Sequence, residues 1–287
     1  MKSETMAWYS KYLSIYDKPL SEVPQDIIDY VSRRLRGKQS RKPMVSAVVI
    51  AHNEARRLPA CLWSLSEIAS MFPIEIIGVN NGSTDETEEV FKAFGMTYYN
   101  EERTSPGFAR QCGLDHTIGQ YHFFIDADTL YPPLYINIMM KKLMWARTAC
   151  VGTFWSYYPD ENHSQRALRR YELIRDAFLY LQHFMRPELC IRGMTFACKA
   201  ELARQVGIRT DIRRGEDGSL ALALKEYGNI EFVYNRKARP VTGYGTLGSG
   251  SLYDSFIQRA KVQLKGIGRI FYKKKHYEDS EENLIKQ

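Results

Sequence analysis

The chain has 287 residues, 44% hydrophobic and 25% charged, an ordinary globular composition long enough for one large α/β domain with an appendage or for two small domains. No apolar run approaches the ~20 residues of a bilayer span, and the start, Met1 to Thr5, lacks the apolar core of a signal peptide, so a cytoplasmic location is expected. The net charge of +7 can draw nucleic acid, anionic lipid or phosphorylated substrate, but no aromatic–basic sheet motif or zinc-finger spacing marks a nucleic-acid partner.

Residues 1–43 read as an N-terminal extension. A helix is expected over residues 21–35, with Ile27, Ile28, Val31 and Leu35 on one face, running into a basic linker over residues 33–43. From residue 44 the pattern becomes α/β. Val45–Ala51 is β-branched and apolar, and predicts the first strand; Leu58, Cys61, Leu62, Leu65, Ile68 and Ala69 then recur at helical spacing. Residues 74–79 predict the second strand. Ser83 and Glu86 have the spacing of a capping box opening a helix that carries Val90, Phe91 and Phe94. A third strand over 96–100, a helix over 106–118 and a strand over 121–125 follow. Strands alternating with helices imply a largely parallel, right-handed sheet.

Beyond residue 130 the spacing is less regular. It predicts a helix from Pro132 towards Arg147, a strand over 150–158, a long helix over 164–185, a short helix from Glu201, a helix over 215–227 and a strand over 230–234. A glycine-rich loop over 242–250 precedes a last helix over 252–271. Its apolar face is Tyr253, Phe256, Ile257, Ala260, Leu264, Ile267 and Phe271; Arg259, Lys261, Lys265, Arg269 and Lys273 to Lys275 make it basic. Such a helix suits an anionic membrane surface or the face of the catalytic domain. The resulting division is 1–43, then 44–241 (a nucleotide-binding half to 130 and an acceptor half after it), then 242–287. The five cysteines, Cys61, Cys112, Cys150, Cys190 and Cys198, are odd in number and lack C-x-x-C spacing, so reduced, mostly buried thiols are expected.

The most informative segment is Tyr121-His122-Phe123-Phe124-Ile125-Asp126-Ala127-Asp128, an apolar strand ending abruptly in two carboxylates. Ligands of open α/β sheets bind outside the carboxyl ends of strands. Two carboxylates there are costly to desolvate unless they face a cleft and a cation. Hard oxygen ligands suit Mg2+ or Mn2+, which usually also bind substrate phosphates. The first strand ends in Ala51-His52-Asn53-Glu54 and the second in Asn80-Asn81-Gly82-Ser83-Thr84-Asp85, so three polar clusters share one sheet edge. That edge suits a base, a ribose and a diphosphate in sequence.

Val48-Val49-Ile50-Ala51-His52-Asn53-Glu54, Asn80-Asn81-Gly82-Ser83-Thr84-Asp85-Glu86-Thr87 and Phe124-Ile125-Asp126-Ala127-Asp128 resemble the three signature segments of family 2 glycosyltransferases, which have the GT-A fold. Pro106-Gly107-Phe108-Ala109-Arg110-Gln111 is similar to the family's short motif before the metal strand. The resemblance implies transfer of a sugar from a nucleotide diphosphate donor, with UDP favoured and usually with inversion, in cell-surface polysaccharide or glycoconjugate synthesis. The acceptor it implies is a glycan or a lipid-linked molecule. It places Ala51, His52, Asn53, Glu54, Asn81, Asp85, Arg110, Asp126 and Ala127 around the nucleotide, and Asp128 on a Mn2+ or Mg2+ ion. Where the family usually has Asp-Asp-Gly-Ser, this chain has Asn80-Asn81-Gly82-Ser83; asparagine still offers donor and acceptor to a base edge, and uracil, guanine and thymine all remain open.

Inverting displacement needs a base for the acceptor's proton. Glu216-Asp217, opening a helix, resembles the family's Glu-Asp motif, with Asp217 as that base; a helix N-terminus also favours acidic residues through its dipole alone. Arg192 and Gly193 lie where the family contacts donor or acceptor, and Arg213 and Arg214 are candidates for the diphosphate or for a solvated turn. Trp155, Tyr157 and Tyr158 are candidates for sugar stacking or for core packing. A sugar nucleotidyltransferase is a weaker reading, because His52-Asn53-Glu54-Ala55 replaces a glycine- and basic-rich triphosphate loop. A dehydrogenase lacks its G-x-G-x-x-G. A nucleotide-sugar binding protein without catalysis is the non-enzymatic alternative.

Overall fold

The computed structural model describes residues 7–161, 163–243 and 283–285. In chain order the elements are α1 (Gln25–Lys38), β1 (Val45–Ala51), α2 (Leu58–Ser66), β2 (Ile74–Asn80), α3 (Thr87–Ala93), β3 (Tyr98–Asn100), α4 (Pro106–Asp115), β4 (Tyr121–Asp126), β5 (Thr129–Leu130), α5 (Tyr135–Leu143), β6 (Thr148–Thr153), β7 (Ser156–Tyr157), α6 (Gln165–Met185), β8 (Phe196–Lys199), α7 (Ala200–Val206), α8 (Glu216–Leu224), β9 (Asn229–Val233) and β10 (Val241–Thr242). Seven strands form one sheet in the order β3-β2-β1-β4-β8-β6-β9. Only β8 runs against the rest, pairing antiparallel with β4 and β6. The mostly parallel sheet expected from the alternation is therefore present. A second sheet, β5-β10-β7, takes up the chain just beyond β4 and β6.

The period of two along the strands sorts the core. Val45, Ala47 and Val49 of β1 point with Ile74, Ile76, Phe123 and Ile125 into the face covered by α1, α2 and α5. Val48 joins Ile77 and Val79 on the opposite face, against α4, and Phe124 packs there with residues of α7 and α8. The N-terminal segment belongs to the first face: Tyr12, Ile15, Tyr16, Val31 and Leu35 lie in the same apolar cluster as β1.

Several boundaries differ from the sequence reading for local reasons. α1 starts at Gln25, because residues just before a proline favour extended backbone and Val23 is extended (ψ 122) ahead of Pro24. It continues to Lys38, so the first part of the basic segment expected as a linker is helix. The capping box does not form: α3 begins at Thr87, whose N–H donates to Asp85 Oδ1 (3.0 Å), while Ser83 Oγ accepts instead from Asn53 N (3.0 Å). The strand expected over 150–158 breaks after Thr153, where the chain leaves the large sheet to pair Ser156 and Tyr157 with β10. Both α4 and α6 open as their sequences indicate, with Ser105 and Ser164 accepting from the N–H three residues on. All five cysteines are free and buried. The amphipathic helix expected over 252–271, and most of the glycine-rich loop, lie outside the described residues.

Candidate active site

Strand order reverses direction at β1: β2 and β3 extend one way and β4 the other. At such a switch point the carboxyl ends of adjacent strands part and leave a crevice. Here β1 and β4 pair in parallel with Ile50 opposite Asp126, and a cleft of about 1290 Å³ opens above them. It is lined by Ala51, His52, Glu54, Asn81, Arg110, Asp126, Ala127 and Asp128 from the first half of the chain, and by Arg192, Gly193, Arg213, Arg214, Glu216 and Asp217 from the second. Two residues expected at the nucleotide do not line it. Asn53, in the left-handed region (φ 56), accepts at Oδ1 from Thr84 N, and Asp85 accepts from Ala55 N and Thr87 N. Both tie the β1 loop to the β2 loop.

On the β1 side, His52 Nδ1 lies 2.7 Å from Asn81 O. The Asn81 amide donates to the carbonyls of Glu101 (3.2 Å) and Arg103 (2.8 Å). An aspartate has no donor for those carbonyls, which gives a physical reason for asparagine here. The same contacts hold the loop that brings Thr104 and Ser105, unforeseen from sequence, to the cleft. Glu54, Asp126 and Asp128 stand close enough to repel one another. Burial, then Asp128, push the Glu54 carboxyl up to about 7 despite its contact with Arg57. Burial, then Asp126, push Asp128 up to about 6, although Thr129 Oγ1 donates to it (2.9 Å).

Asp128 sits in the turn between β4 and β5 and is braced by the N-terminal segment. Tyr16 OH donates to Asp128 O (2.7 Å), and Asp17, itself at φ 59, accepts from Arg57 Nε (3.0 Å), the arginine that faces Glu54. Sequence gave no sign of this role for Tyr16.

Arg110 joins the two halves of the site. It is buried, its Nη2 donates to Asp126 (2.9 Å) and its Nε to Glu216 (2.9 Å), and its remaining Nη1 has no partner among the described residues. Gly193 lies directly over it: a Cβ there would fall 1.8 Å from Arg110 Nη2. Gly215, left-handed at φ 94, turns the chain into α8 so that Glu216 and Asp217 occupy its first turn. Burial, then the neighbouring Glu216, hold the Asp217 carboxyl above the ordinary carboxylate range, against the pull of Arg192 and Arg110. A carboxylate raised towards neutrality is suited to accept a proton. The loop before α8 is pinned by a distant segment, as Asn283 O accepts from Arg213 N (2.8 Å) and Asn283 Oδ1 from Arg214 N (3.1 Å).

The donor set is compatible with a hard divalent cation. Asp126 gives one oxygen to Arg110, whereas the Asp128 carboxylate accepts from the Thr129 hydroxyl and has no cationic partner within ion-pair distance among the described residues. No group of three His, Cys, Asp or Glu side chains among the described residues could enclose an ion. Mg2+ and Mn2+ do not need such a cage, since one or two carboxylates plus substrate phosphates and waters complete their shell.

The sequence profile described as Glycosyl transferase family 2 matches residues 46–207, more than half of the chain. The chain belongs to glycosyl transferase family 2. Among curated relatives, Glycosyltransferase GlyA of Streptococcus pneumoniae is 29% identical over 61% of this chain and 27% of its own length. An uncharacterized glycosyltransferase of Rickettsia prowazekii is 33% identical over 58% of this chain and 53% of its own. The chain thus spans between about a quarter and about half the length of these family members. Solved structures agree on a GT-A fold. Mannosyltransferase PcManGT of Pyrobaculum calidifontis, in complex with GDP-Man and Mn2+, has a TM-score of 0.58 at 18% identity, over 88% of this chain and 77% of that one. Staphylococcus aureus TarS, in complex with UDP-GlcNAc, has 0.52 at 14% identity, over 76% and 65%. No helix among the described residues of this family 2 chain is long and apolar enough to cross a membrane.

Proposed function

We propose that this chain moves a sugar from a nucleoside diphosphate sugar, UDP-linked by preference, to a glycan or lipid-linked acceptor, with inversion at the anomeric carbon. The observation that carries the reading is that Asp128 and Asp217, about 90 residues apart in sequence, line one cleft at the β1/β4 switch point. Ala51, His52, Glu54 and Asn81 face the base and ribose, with Ala127 and Asp126 beside them. Asp128 holds Mn2+ or Mg2+, which when bound stabilises charge on the leaving diphosphate. Asp217 takes the proton from the acceptor hydroxyl as its oxygen attacks the anomeric carbon. Glu216, spent on Arg110, positions that carboxylate rather than acting on substrate.

Asp217→Asn should lower transfer by about 10²–10⁴-fold, the usual worth of a positioned base, while Mn2+-dependent nucleotide binding survives. Turnover across UDP-, GDP- and dTDP-sugars, paired with calorimetry, reads both quantities. A variant that transfers at the wild-type rate removes Asp217 from the mechanism; a wild type that binds donors but transfers nothing to any acceptor turns the reading to a nucleotide-sugar binding protein.

Peripheral contact with anionic lipid is a further part of the reading. α6 leaves Leu173, Ile174, Leu181, Phe184 and Met185 exposed, with Arg166, Arg169 and Arg170 exposed at its start. An apolar helix face flanked by arginine fits a charged bilayer surface. Flotation with anionic liposomes at low salt tests it, and protein left at the bottom of the gradient would remove it.

A further inference from the structure

Building on the transferase reading, we infer that the acceptor carries a phosphate or similar oxyanion, recognised by Arg192, Arg213 and Arg214. All three line the cleft with Asp217, and none has a carboxylate within ion-pair distance among the described residues. Arg213 and Arg214 stand in the loop that delivers Asp217, clamped by Asn283. Arg192 is near enough to Asp217 to act on its charge, and its Nη1 is fixed by the carbonyls of Leu189 (3.0 Å) and Ile191 (2.6 Å).

The surrounding acids do not neutralise this group. Glu216 is taken by Arg110, and Glu188 by Arg186 and Lys225. That leaves Asp217 as the one carboxylate on this side, among the described residues, without an ion pair of its own. A second, independent observation points the same way. Trp155 lines the same cleft, is 5% exposed, and its buried indole Nε1–H has no acceptor among the described residues; the Arg192 guanidinium lies 5.9 Å from its ring. Unmatched donors around a cavity call for an oxygen-rich anion, and guanidinium forks suit phosphate and carboxylate. The diphosphate of the donor is the competing occupant. It is anchored at the other side by Asp128 and its ion, whereas groups in the base's own loop face the molecule that surrenders its proton.

The test is calorimetry on the full chain, free and saturated with whichever of UDP, GDP and dTDP binds best with Mn2+. Glycerol phosphate and hexyl phosphate are titrated against their neutral counterparts, glycerol and hexanol. The phosphates should bind at least about 10-fold more tightly than the alcohols. Arg192→Gln and the double variant Arg213→Gln/Arg214→Gln should each lose about 10-fold of that affinity, with Mn2+–nucleotide affinity unchanged. Tighter binding of glycerol phosphate marks a soluble phosphorylated acceptor, and tighter binding of hexyl phosphate a lipid one. Equal binding of alcohols and phosphates, or arginine variants that lose the nucleotide rather than the phosphate, overturns the inference. Failure of every nucleotide to bind with Mn2+ strikes the transferase reading instead, and the titration of the free protein still reads the phosphate site. Arg213 and Arg214 are exposed, so the double variant decides the matter if Arg192→Gln unfolds.

Discussion

At the scale of single residues, Arg110 is where the two halves of the cleft meet. Its buried guanidinium holds Asp126 and Glu216 at once, so removing any member leaves uncompensated charge in a poorly hydrated place. Gly193 is glycine for this reason. Arg110 Nη2, 1.8 Å from the position of an added Cβ, is pinned by Asp126, and Nε by Glu216, so the side chain has no free path of retreat. Gly193→Ala should therefore destabilise the protein by about 2 kcal/mol or more, from overpacking and a disturbed ion pair. Gly207 supplies the control: at φ 72, ψ 158 it holds a backbone conformation almost reserved for glycine, with nothing within 4 Å of an added Cβ. Gly207→Ala should cost only its backbone strain, roughly 1–3 kcal/mol. Urea unfolding measures both losses, and calorimetry separates the two variants, because only Gly193→Ala should also lose Mn2+-dependent nucleotide binding. Retention of that binding would mean that Arg110 can shift without consequence.

At the scale of elements, the strands and the acidic tips were legible because a buried parallel strand is a continuous apolar run, and its polar end has to face a cleft. Asp126 at the end of β4, Asp128 just after it and Glu54 after β1 could be placed from such patterns, whereas Asp217 at the start of α8 came from the resemblance of Glu216-Asp217 to the family's motif. The contacts made across long stretches of sequence could not. Tyr16 reaches Asp128 across 112 residues, and Asn283 reaches Arg214 across 69, and periodicity carries no information about pairs so far apart. Nor could the backbone hydrogen bonds that Asn53 and Asp85 accept be foreseen, since a side chain that binds backbone and one that binds ligand look alike in sequence. The Tyr16 contact leads to a prediction about the N-terminal segment as a working part of the site. Tyr16→Phe keeps the ring among its buried neighbours but leaves Asp128 O with only Thr242 Oγ1, at 3.5 Å. Stability should fall by about 1 kcal/mol, the net worth of one such hydrogen bond. Mn2+ titration at saturating nucleotide should show the metal affinity weakened as well, since the turn presenting the Asp128 carboxylate loses its brace. Unchanged metal affinity would reduce Tyr16 to a packing residue.

At the scale of the whole molecule, buried charges give stability a pH dependence with two opposing parts. His122 is fully buried beside Phe124, and burial, aided by Arg204 and Arg110, pushes it down to about 3 from 6.5. A histidine depressed by folding contributes fully above its unfolded value, and that contribution is lost as pH falls from 6.5 towards 3. Glu54 and Asp128 work the other way. Folding raises them from 4.5 to about 7 and from 3.8 to about 6, so the folded protein holds these protons more tightly than the unfolded chain does. Their repulsion costs nothing at low pH and grows as pH rises through that window. Asp128→Asn removes one of these charges and relieves Glu54, for which Asp128 is the largest influence after burial. His122 is common to both chains and drops out of their difference. The variant should match the wild type near pH 4 and exceed it by roughly 2–3 kcal/mol at pH 7 in the absence of metal, one pKa unit being about 1.4 kcal/mol. Mn2+ with nucleotide should then stabilise the wild type at pH 7 and leave Asp128→Asn almost unmoved, because a ligand raises stability only where it binds the folded state. Thermal unfolding of both chains across this range, with and without the ion, measures the two effects together. A variant less stable than the wild type at pH 7 would show that the three carboxylates are not repelling one another in the empty cleft.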